Sequence, residues 1–161
     1  VNEVFDFRLD DDNYPTDSIC DKLNDVSVDG IRFISVSEPK YKPIDIKSAS
    51  YTVTVPFESE NAAEGFRTKI DSAVDSGEIM IEKKTKKGEI KQINVCEHLK
   101  SYQCHKEKNS VIIGFHLPAG NELTVNPVPF CNALFSKVGK KDILHRIVRN
   151  ELFVDGGDVY K

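Results

Sequence analysis

The chain lacks the short motifs that most often identify an enzyme from its sequence. Its 161 residues contain no glycine-rich phosphate loop, no nucleophile elbow and no HExxH pair. No three of its four cysteines lie close enough together to hold an iron–sulfur cluster, which requires closely spaced thiolates. The sequence therefore predicts no resident cofactor, and it favours a non-catalytic role over an enzymatic one.

Long apolar segments are also missing. No run approaches the roughly 18 residues of a membrane span, and the N-terminal residues do not have the pattern of a signal peptide. We therefore expect a cytoplasmic protein without a membrane partner, in which cysteines stay reduced. The chain begins at Val1 and enters a predicted strand at once, so we interpret it as a fragment of a longer polypeptide.

Charged residues are plentiful but unevenly distributed. They make up 30% of the chain, with a net charge of −4. Residues 1–38 contain ten acidic and three basic side chains, whereas residues 39–161 have a small basic excess. Such asymmetry can orient a charged partner, although ordinary solvated faces also produce it. The length predicts one compact α+β domain over residues 1–161, or two ferredoxin-like subunits at about 1–84 and 85–161.

Hydrophobic periodicity predicts a first strand–helix–strand unit near the N-terminus. Its strands are expected at Val4–Leu9 and at residues 31–36, and its helix should bury Ile19, Leu23 and Val26. A strand that begins in mid-domain was built to lie beside another strand. We therefore expect the first strand at a sheet edge, where it could support self-association of the chain.

The second unit has clearer boundaries. Residues 50–55 alternate between apolar and polar and predict a strand. Asn61 and Glu64 have the spacing of a capping box at the start of a helix, and Gly77 is placed to end it. Residues 78–96 then predict a hairpin.

The last unit begins with an alternating strand at residues 110–117 and continues with a helix that starts at Asn126–Pro127. Gly139 should end this helix, and a strand is expected over 145–154. So few helices cover only one face of a sheet. The predicted fold class is α+β, with ferredoxin-like βαβ repeats and an antiparallel sheet that carries its helices on one face.

Several short segments occur in an order that resembles a known family: Phe5–Phe7, Gly30–Phe33, Ala49–Val53, Lys86–Gly88 with Ile93–Val95, Asn126–Pro127 with Ala133–Phe135, and Arg146–Phe153. The order is similar to that of the C-terminal portion of a bacterial family, domain of unknown function 2344. Its members are fused to, or encoded beside, cobalamin-binding radical-SAM proteins. The resemblance implies a radical-SAM protein as partner, tandem ferredoxin folds of the pseudouridine-synthase kind, and an association with RNA metabolism. It implies no catalytic residue, and Cys96–His98 departs from the family's usual Arg-Pro-aromatic pattern.

Two basic groups are the strongest indication of a partner. Lys83, Lys84, Lys86 and Lys87 crowd around the predicted hairpin turn. The second group lies around the last helix–strand junction and comprises Lys137, Lys140, Lys141, His145, Arg146 and Arg149. Several cations on one surface suit the phosphates of RNA, and Tyr102 could stack on a base. The alternative is that the lysines only keep a strand edge soluble and unpaired.

Metal binding has weaker support. Cys96, His98, Cys104 and His105 are donors of the kind that zinc prefers, but their spacing is not that of a known zinc site. Strand alternation would place Cys104 and His105 on opposite faces, so we expect no metal. Asp10–Asp12 lacks the glycine and late glutamate of a calcium loop and is interpreted as a solvated turn.

Taken together, these patterns favour an accessory module that contacts RNA or presents substrate to a radical-SAM partner. Two alternatives remain open. The first is an RNA-modifying enzyme with a pseudouridine-synthase-like fold, which needs a catalytic aspartate in a basic cleft. The second is a scaffold that only assembles its partner, for which a bare apolar patch would be the signature.

Overall fold

A computed structural model describes residues 4–10, 15–84 and 88–160, and of Asp17 it describes the backbone alone. The chain forms two compact units. The N-terminal unit comprises the described residues up to Lys42, and the main unit those from Pro43 to Tyr160. The division into ferredoxin-like subunits near residue 84 remains a prediction.

The N-terminal unit contains the expected helix, α1 (Thr16–Val26), but neither predicted strand. Residues 4–9 and 31–36 have no regular secondary structure and belong to neither sheet. The side chain of Asn24 holds the second segment, since its Nδ2 donates to the Phe33 carbonyl oxygen at 3.0 Å and its Oδ1 accepts from the Phe33 N–H at 2.8 Å. A side-chain amide thus replaces a strand ladder at this point.

The predicted first strand fails for a related reason. Its alternating phenylalanines form a small aromatic cluster instead of one face of a sheet, with the Phe5 ring centroid 5.8 Å from those of Phe7 and Phe33. On α1, Ile19 is buried as predicted, but Val26 is 80% exposed and does not continue the buried stripe. The first strand therefore gives no support to self-association, which remains a prediction.

Among its described residues, the main unit contains two α-helices and six strands: β1 (Ile46–Pro56), α2 (Glu60–Asp75), β2 (Met80–Lys84), β3 (Ile90–Asn94), β4 (Ser101–Glu107), β5 (Ser110–Pro118), α3 (Pro127–Lys137) and β6 (Arg146–Val154). Four strands form an antiparallel sheet in the order β4-β5-β1-β6, while β2 and β3 form a separate hairpin. Without the hairpin the element order is βαββαβ. Its third strand lies between its first and second, as in a ferredoxin-like fold. The predicted fold class is confirmed.

The strand that returns from α2 to the sheet is β4, and the sequence analysis did not identify it. The segment Ser101–Glu107 has few apolar residues, and only alternate side chains such as Tyr102 and Cys104 are partly buried. The predicted return strand, β2, instead pairs with β3 in the two-stranded sheet. The hairpin is therefore an insertion between α2 and β4.

One face of the four-stranded sheet and the two helices enclose the core. The central strands β1 and β5 supply directly opposed buried pairs. These pairs are Ala49–Leu117, Tyr51–Phe115, Val53–Ile113 and Val55–Val111. Helices α2 and α3 close the core from one side, with the Phe115 and Phe130 ring centroids 4.9 Å apart and nearly perpendicular.

The helix boundaries follow capping chemistry. Asn126 caps α3 as predicted, accepting from the Val128 N–H at 2.9 Å. The predicted cap of α2 at Asn61 is wrong, because Ser59 performs this role and accepts from the Ala62 N–H. The α2 helix therefore begins two residues earlier than the capping-box pattern indicated. Gly77 follows its last turn with a φ of +71°, a conformation that favours glycine.

Candidate nucleic-acid interface

Asn94 fixes the base of the inserted hairpin. Its Oδ1 accepts from the N–H groups of Ile79 and Cys96, at 3.1 and 3.3 Å. Its Nδ2 donates to the Gly77 carbonyl oxygen at 2.9 Å and to the Glu97 carboxylate at 3.3 Å. One amide side chain thus joins the end of α2 to both strands of the hairpin, β2 and β3.

The hairpin places Lys83 directly opposite Lys91. Lys83 Nζ donates to the Thr124 carbonyl oxygen at 2.9 Å, whereas the Lys91 side chain is exposed. Lys84 follows Lys83 in β2 and therefore lies on the other face of the hairpin. The other two predicted contacts, Lys86 and Lys87, lie outside the described residues.

Arg146 and Arg149 do not share a face. Arg146 pairs with Thr54, on the sheet face away from the core, whereas Arg149 pairs with Tyr51, whose side chain is buried in the core. The register is continuous between these pairs, so two residues three positions apart in β6 lie on opposite faces of the sheet. The two arginines therefore cannot contact the same flat surface through the sheet.

The two basic groups lie towards opposite ends of α3. Lys83 contacts Thr124, just before the helix begins, while Lys137 in its last turn donates to the carbonyl oxygen of Glu78 at the base of the hairpin. An 11-residue helix is about 16 Å long. An extended ligand such as an RNA strand could contact both groups, but a single small ligand could not.

The sequence analysis did not single out Phe57, which lines a cavity beside the second basic group. This cavity is a shallow depression that is largely open to solvent, with a volume of about 500 Å³, and we call it the Phe57 cavity. It is lined by Pro56, Phe57, Glu58, Lys140, Lys141 and Ile143. Its apolar side chains come from the end of β1 and from the α3–β6 connection, and its cations are the two neighbouring lysines.

Phe57 is held rigidly in this wall. Its N–H donates to the Asn109 carbonyl oxygen at 2.8 Å, and Asn109 Nδ2 donates to the Phe57 carbonyl oxygen at the same distance. Its ring centroid lies 5.0 Å from that of Phe66 on α2. Because backbone and ring are both fixed, the aromatic surface is preformed for a ligand.

The lysines owe their position to the end of α3. Gly139 adopts a φ of +74°, its N–H donates to the Ser136 carbonyl oxygen, and the Lys140 N–H donates to that of Phe135 at 2.8 Å. This is the Schellman arrangement that ends a helix and turns the chain sharply. Neither Lys140 nor Lys141 forms an ion pair with a residue in the described ranges.

A smaller cavity of about 220 Å³ adjoins the first and shares Lys140, Lys141 and Ile143 with it. Asp142 and His145 also line this cavity. The His145 ring packs edge-on against Phe135, with centroids 5.0 Å apart, and its Nδ1 lies 2.8 Å from the Ile143 carbonyl oxygen. An aspartate close to lysines is what the enzyme alternative required, and the sequence alone did not single out Asp142.

Tyr102 is not the exposed stacking residue that we predicted. It lies on β4, is half-buried towards α2, and its hydroxyl donates to Asp71 Oδ1 at 2.8 Å. Burial and this bond to a carboxylate raise the pKa of Tyr102. Arg67 binds the other oxygen of Asp71 at 2.6 Å, so Asp71 belongs to a network and is not simply a surface carboxylate.

The proposed zinc donors are distributed over different surfaces. Cys104 faces the core side of β4, opposite Ile113, whereas His105 lies on the other face, opposite Ile112. Burial raises the pKa of Cys104 to about 11, which favours the protonated thiol over the thiolate that binds metals. Cys96 and His98 lie in the short 3₁₀ helix Val95–His98. Within the described ranges, no three His, Cys, Asp or Glu side chains are grouped to hold a metal ion.

Fold and site together define a ferredoxin-like α+β protein with an inserted basic hairpin and a cationic cavity at the end of its second core helix. The model of a bacterial family described as an uncharacterized protein conserved in bacteria (DUF2344) matches residues 1–127. The chain belongs to this family. Comparison with curated proteins and with solved structures gives no match. No helix among the described residues is long and apolar enough to cross a membrane.

Proposed function

We propose that this protein is a non-catalytic accessory module that contacts RNA and helps to present the substrate to a radical-SAM partner protein. The observation that carries the RNA contact is the directly opposed pair Lys83 and Lys91 in the hairpin. Like charges in opposed positions destabilise an antiparallel pair. Within the described ranges no carboxylate forms an ion pair with either lysine, so a bound phosphate would relieve the repulsion.

The radical-SAM partner rests on a different argument. It comes from the family resemblance, and the cysteine content of the chain agrees with it, because no cysteine triplet for an iron–sulfur cluster is present in the sequence. On this proposal the cluster chemistry belongs to the partner. Co-purification from the native host, with the bound protein and RNA both identified, tests this part of the proposal.

The RNA contact is tested by titrating bulk tRNA at low and moderate salt. Changing Lys83, Lys84, Lys86 and Lys87 to Gln should weaken binding. It should also reduce the slope of log affinity against log salt by about 0.7–0.9 for each lysine that contacts a phosphate. A control with the same change in net charge replaces Lys22, Lys40, Lys47 and Lys69. Absence of wild-type binding at about 50 mM salt refutes the RNA contact. Equal loss in the control refutes its placement on the hairpin.

A second candidate function follows from Asp142. This residue lines a cavity together with Lys140 and Lys141, as an RNA-modifying enzyme would require of a catalytic aspartate. The test is to incubate the protein with tRNA and to search for modified nucleosides by mass spectrometry. A modification that disappears in Asp142→Asn would replace the non-catalytic proposal, whereas its absence from the wild type leaves that proposal standing.

A further inference from the structure

We infer that the Phe57 cavity binds one unpaired nucleotide of the RNA, with the base against Phe57 and the adjoining phosphate at Lys140 and Lys141. This inference rests on the proposed RNA contact and names the part of the RNA that this cavity recognises. It concerns a site at the end of α3 away from the opposed lysines of the hairpin, so the two can be tested separately.

The size and surface of the cavity suit such a ligand. Small-molecule sites typically have volumes of about 300–1,000 Å³, with an apolar lining and a few polar groups. The Phe57 cavity, at about 500 Å³, lies in this range but is largely open to solvent, which suits one base of a longer RNA strand better than an enclosed small molecule. Three apolar side chains can cover a base, those of Pro56, Phe57 and Ile143. The base must be unpaired, because in duplex RNA each base is stacked inside the helix and cannot reach the cavity.

Preorganisation strengthens the case for Phe57 as the stacking residue. Its backbone is bound at both ends by Asn109, and its ring packs on Phe66, so little conformational freedom is lost when a base binds. Tyr102, the aromatic residue predicted for this purpose, is held by Asp71 and half-buried. Base–aromatic stacking contributes about 1–3 kcal/mol per base and tolerates any sequence.

The charges around the cavity are mixed, and a nucleotide can use both signs. Lys140 and Lys141 have no ion-pair partner in the described part of the chain and are free to bind a phosphodiester. Arg146 lies at the same end of the sheet, since it pairs with Thr54, two residues before Pro56. Glu58, which also lines the cavity, can accept a hydrogen bond from an exocyclic amino group of a base.

The experiment compares a single-stranded RNA of about ten nucleotides with the same sequence in a duplex, by fluorescence anisotropy. Phe57→Leu retains an apolar side chain but removes the aromatic surface. We expect this variant to lose about 5- to 150-fold in affinity for the single strand, the equivalent of one base stack, and to bind the duplex as the wild type does. Phe57→Tyr, which keeps the ring, should bind both forms normally.

Two further measurements make the result specific. Changing Lys140 and Lys141 to Gln should reduce the salt slope for the single strand by about 0.7 per lysine, whereas Lys69→Gln should not. An RNA that carries 5-iodouridine should crosslink, on irradiation, to the peptide containing Phe57. The thermal unfolding midpoint of Phe57→Leu verifies that the variant is folded.

The outcomes separate the inference from the proposed function. If the wild type binds RNA but Phe57→Leu retains full single-strand affinity, or the crosslink maps elsewhere, the inference is wrong and the RNA contact stands. If the wild type binds neither form near 50 mM salt, the proposed function fails and the inference fails with it. A protein that binds an acidic peptide at this cavity but no single-stranded RNA would also overturn the inference.

Discussion

Lys83 and Lys91 lie directly opposite each other in the inserted hairpin, two cations at one cross-strand position. Lys83 reaches the Thr124 carbonyl oxygen just before α3, while Lys91 stays exposed. The flanking pair, Glu82 and Gln92, is joined by a hydrogen bond at 3.1 Å. Of these two neighbouring cross-strand pairs, the Lys83–Lys91 pair is therefore the one that destabilises the hairpin. Such a pair is typical of residues that are retained for binding and not for stability.

Changing Lys91 to Glu should stabilise the protein and weaken its RNA contact at the same time. Replacing repulsion by attraction across the strands is expected to raise the free energy of unfolding by about 0.2–1 kcal/mol. Urea denaturation measures the stability, and the tRNA titration measures the affinity. Lys69→Glu on α2 has the same change in net charge and should produce neither effect. An unchanged RNA affinity in Lys91→Glu would remove the hairpin pair from the interface.

Asn94 should control the order of the hairpin. The variant Asn94→Ala leaves the N–H groups of Ile79 and Cys96 without their acceptor and the Gly77 carbonyl oxygen without its donor. We expect the free energy of unfolding to fall by about 1–3 kcal/mol. Amide hydrogen exchange should become faster in β2 and β3 than in β1. Gln92→Ala, which removes one exposed hydrogen bond, is the matched control. Equal exchange rates in the two variants would show that the hairpin base does not depend on Asn94.

Most of the main unit was predictable from its sequence because its core follows simple periodicities. β1 and β5 alternate over most of their length, apart from the consecutive buried residues at 48–49 and 113–115. Asn126 and Gly139 mark the ends of α3, and the predicted hairpin is present as β2 and β3. Strand β4 was not predicted because it lies at the sheet edge. Only its alternate side chains are partly buried, so its sequence lacks a clear apolar alternation. The capping-box pattern at Asn61 was misleading because Ser59, two residues earlier, has equally suitable chemistry.

The N-terminal unit and the Phe57 cavity were harder to foresee for physical reasons. Phe5 and Phe7 alternate as strand residues do, but a strand requires a second strand as its partner. At Phe33, in the other segment predicted as a strand, the backbone N–H and carbonyl oxygen are bonded to the Asn24 side chain. Phe57 lies directly after a strand and resembles any core residue in sequence. Its place in a cavity depends on Lys140 and Lys141, which are distant in sequence and become neighbours only when α3 ends at Gly139.

His116 should make the stability depend on pH. Its Nε2 is buried without a hydrogen-bond partner among the described residues, and its ring centroid lies 4.5 Å from that of Phe153. Burial, together with the nearby Lys100, lowers the pKa of His116 from its ordinary value of 6.5. The unfolded chain therefore binds this proton more readily than the folded chain does. The stability that neutral His116 contributes is fully present above about pH 6.5, and this contribution is lost as the pH falls through the depressed folded-state pKa.

The measurement is urea denaturation between pH 8 and pH 5 for the wild type and His116→Gln. Glutamine does not titrate in this range, so the variant should lose less stability on acidification than the wild type. His105→Gln, an exposed histidine on β4, controls for the general loss of imidazole. Parallel pH profiles of the wild type and His116→Gln would contradict the assignment to His116.

The zinc prediction is still to be tested in solution. Cys104 and His105 lie on opposite faces of β4, and burial raises the pKa of Cys96 as well as that of Cys104. We expect no stoichiometric zinc in elemental analysis of protein purified without chelator. One equivalent of zinc, lost when Cys96 and Cys104 are both changed to Ser, would show that the four donors converge in a way that the structure does not indicate.

Substitutions of Tyr102 test whether this residue stabilises the fold and takes no part in RNA binding. Its hydroxyl donates to Asp71, which also accepts from Arg67, and this network joins the edge strand β4 to α2. The variant Tyr102→Phe should lower the free energy of unfolding by about 1–3 kcal/mol, because the Asp71 carboxylate loses a half-buried donor, and should leave RNA affinity unchanged. Phe57→Leu should have the reverse profile, with reduced single-strand affinity and a smaller loss of stability. Tyr102→Leu, which also removes the ring, tests stacking at β4 directly: a clear fall in its single-strand RNA affinity, with the protein folded, would move the stacking site from the Phe57 cavity to β4.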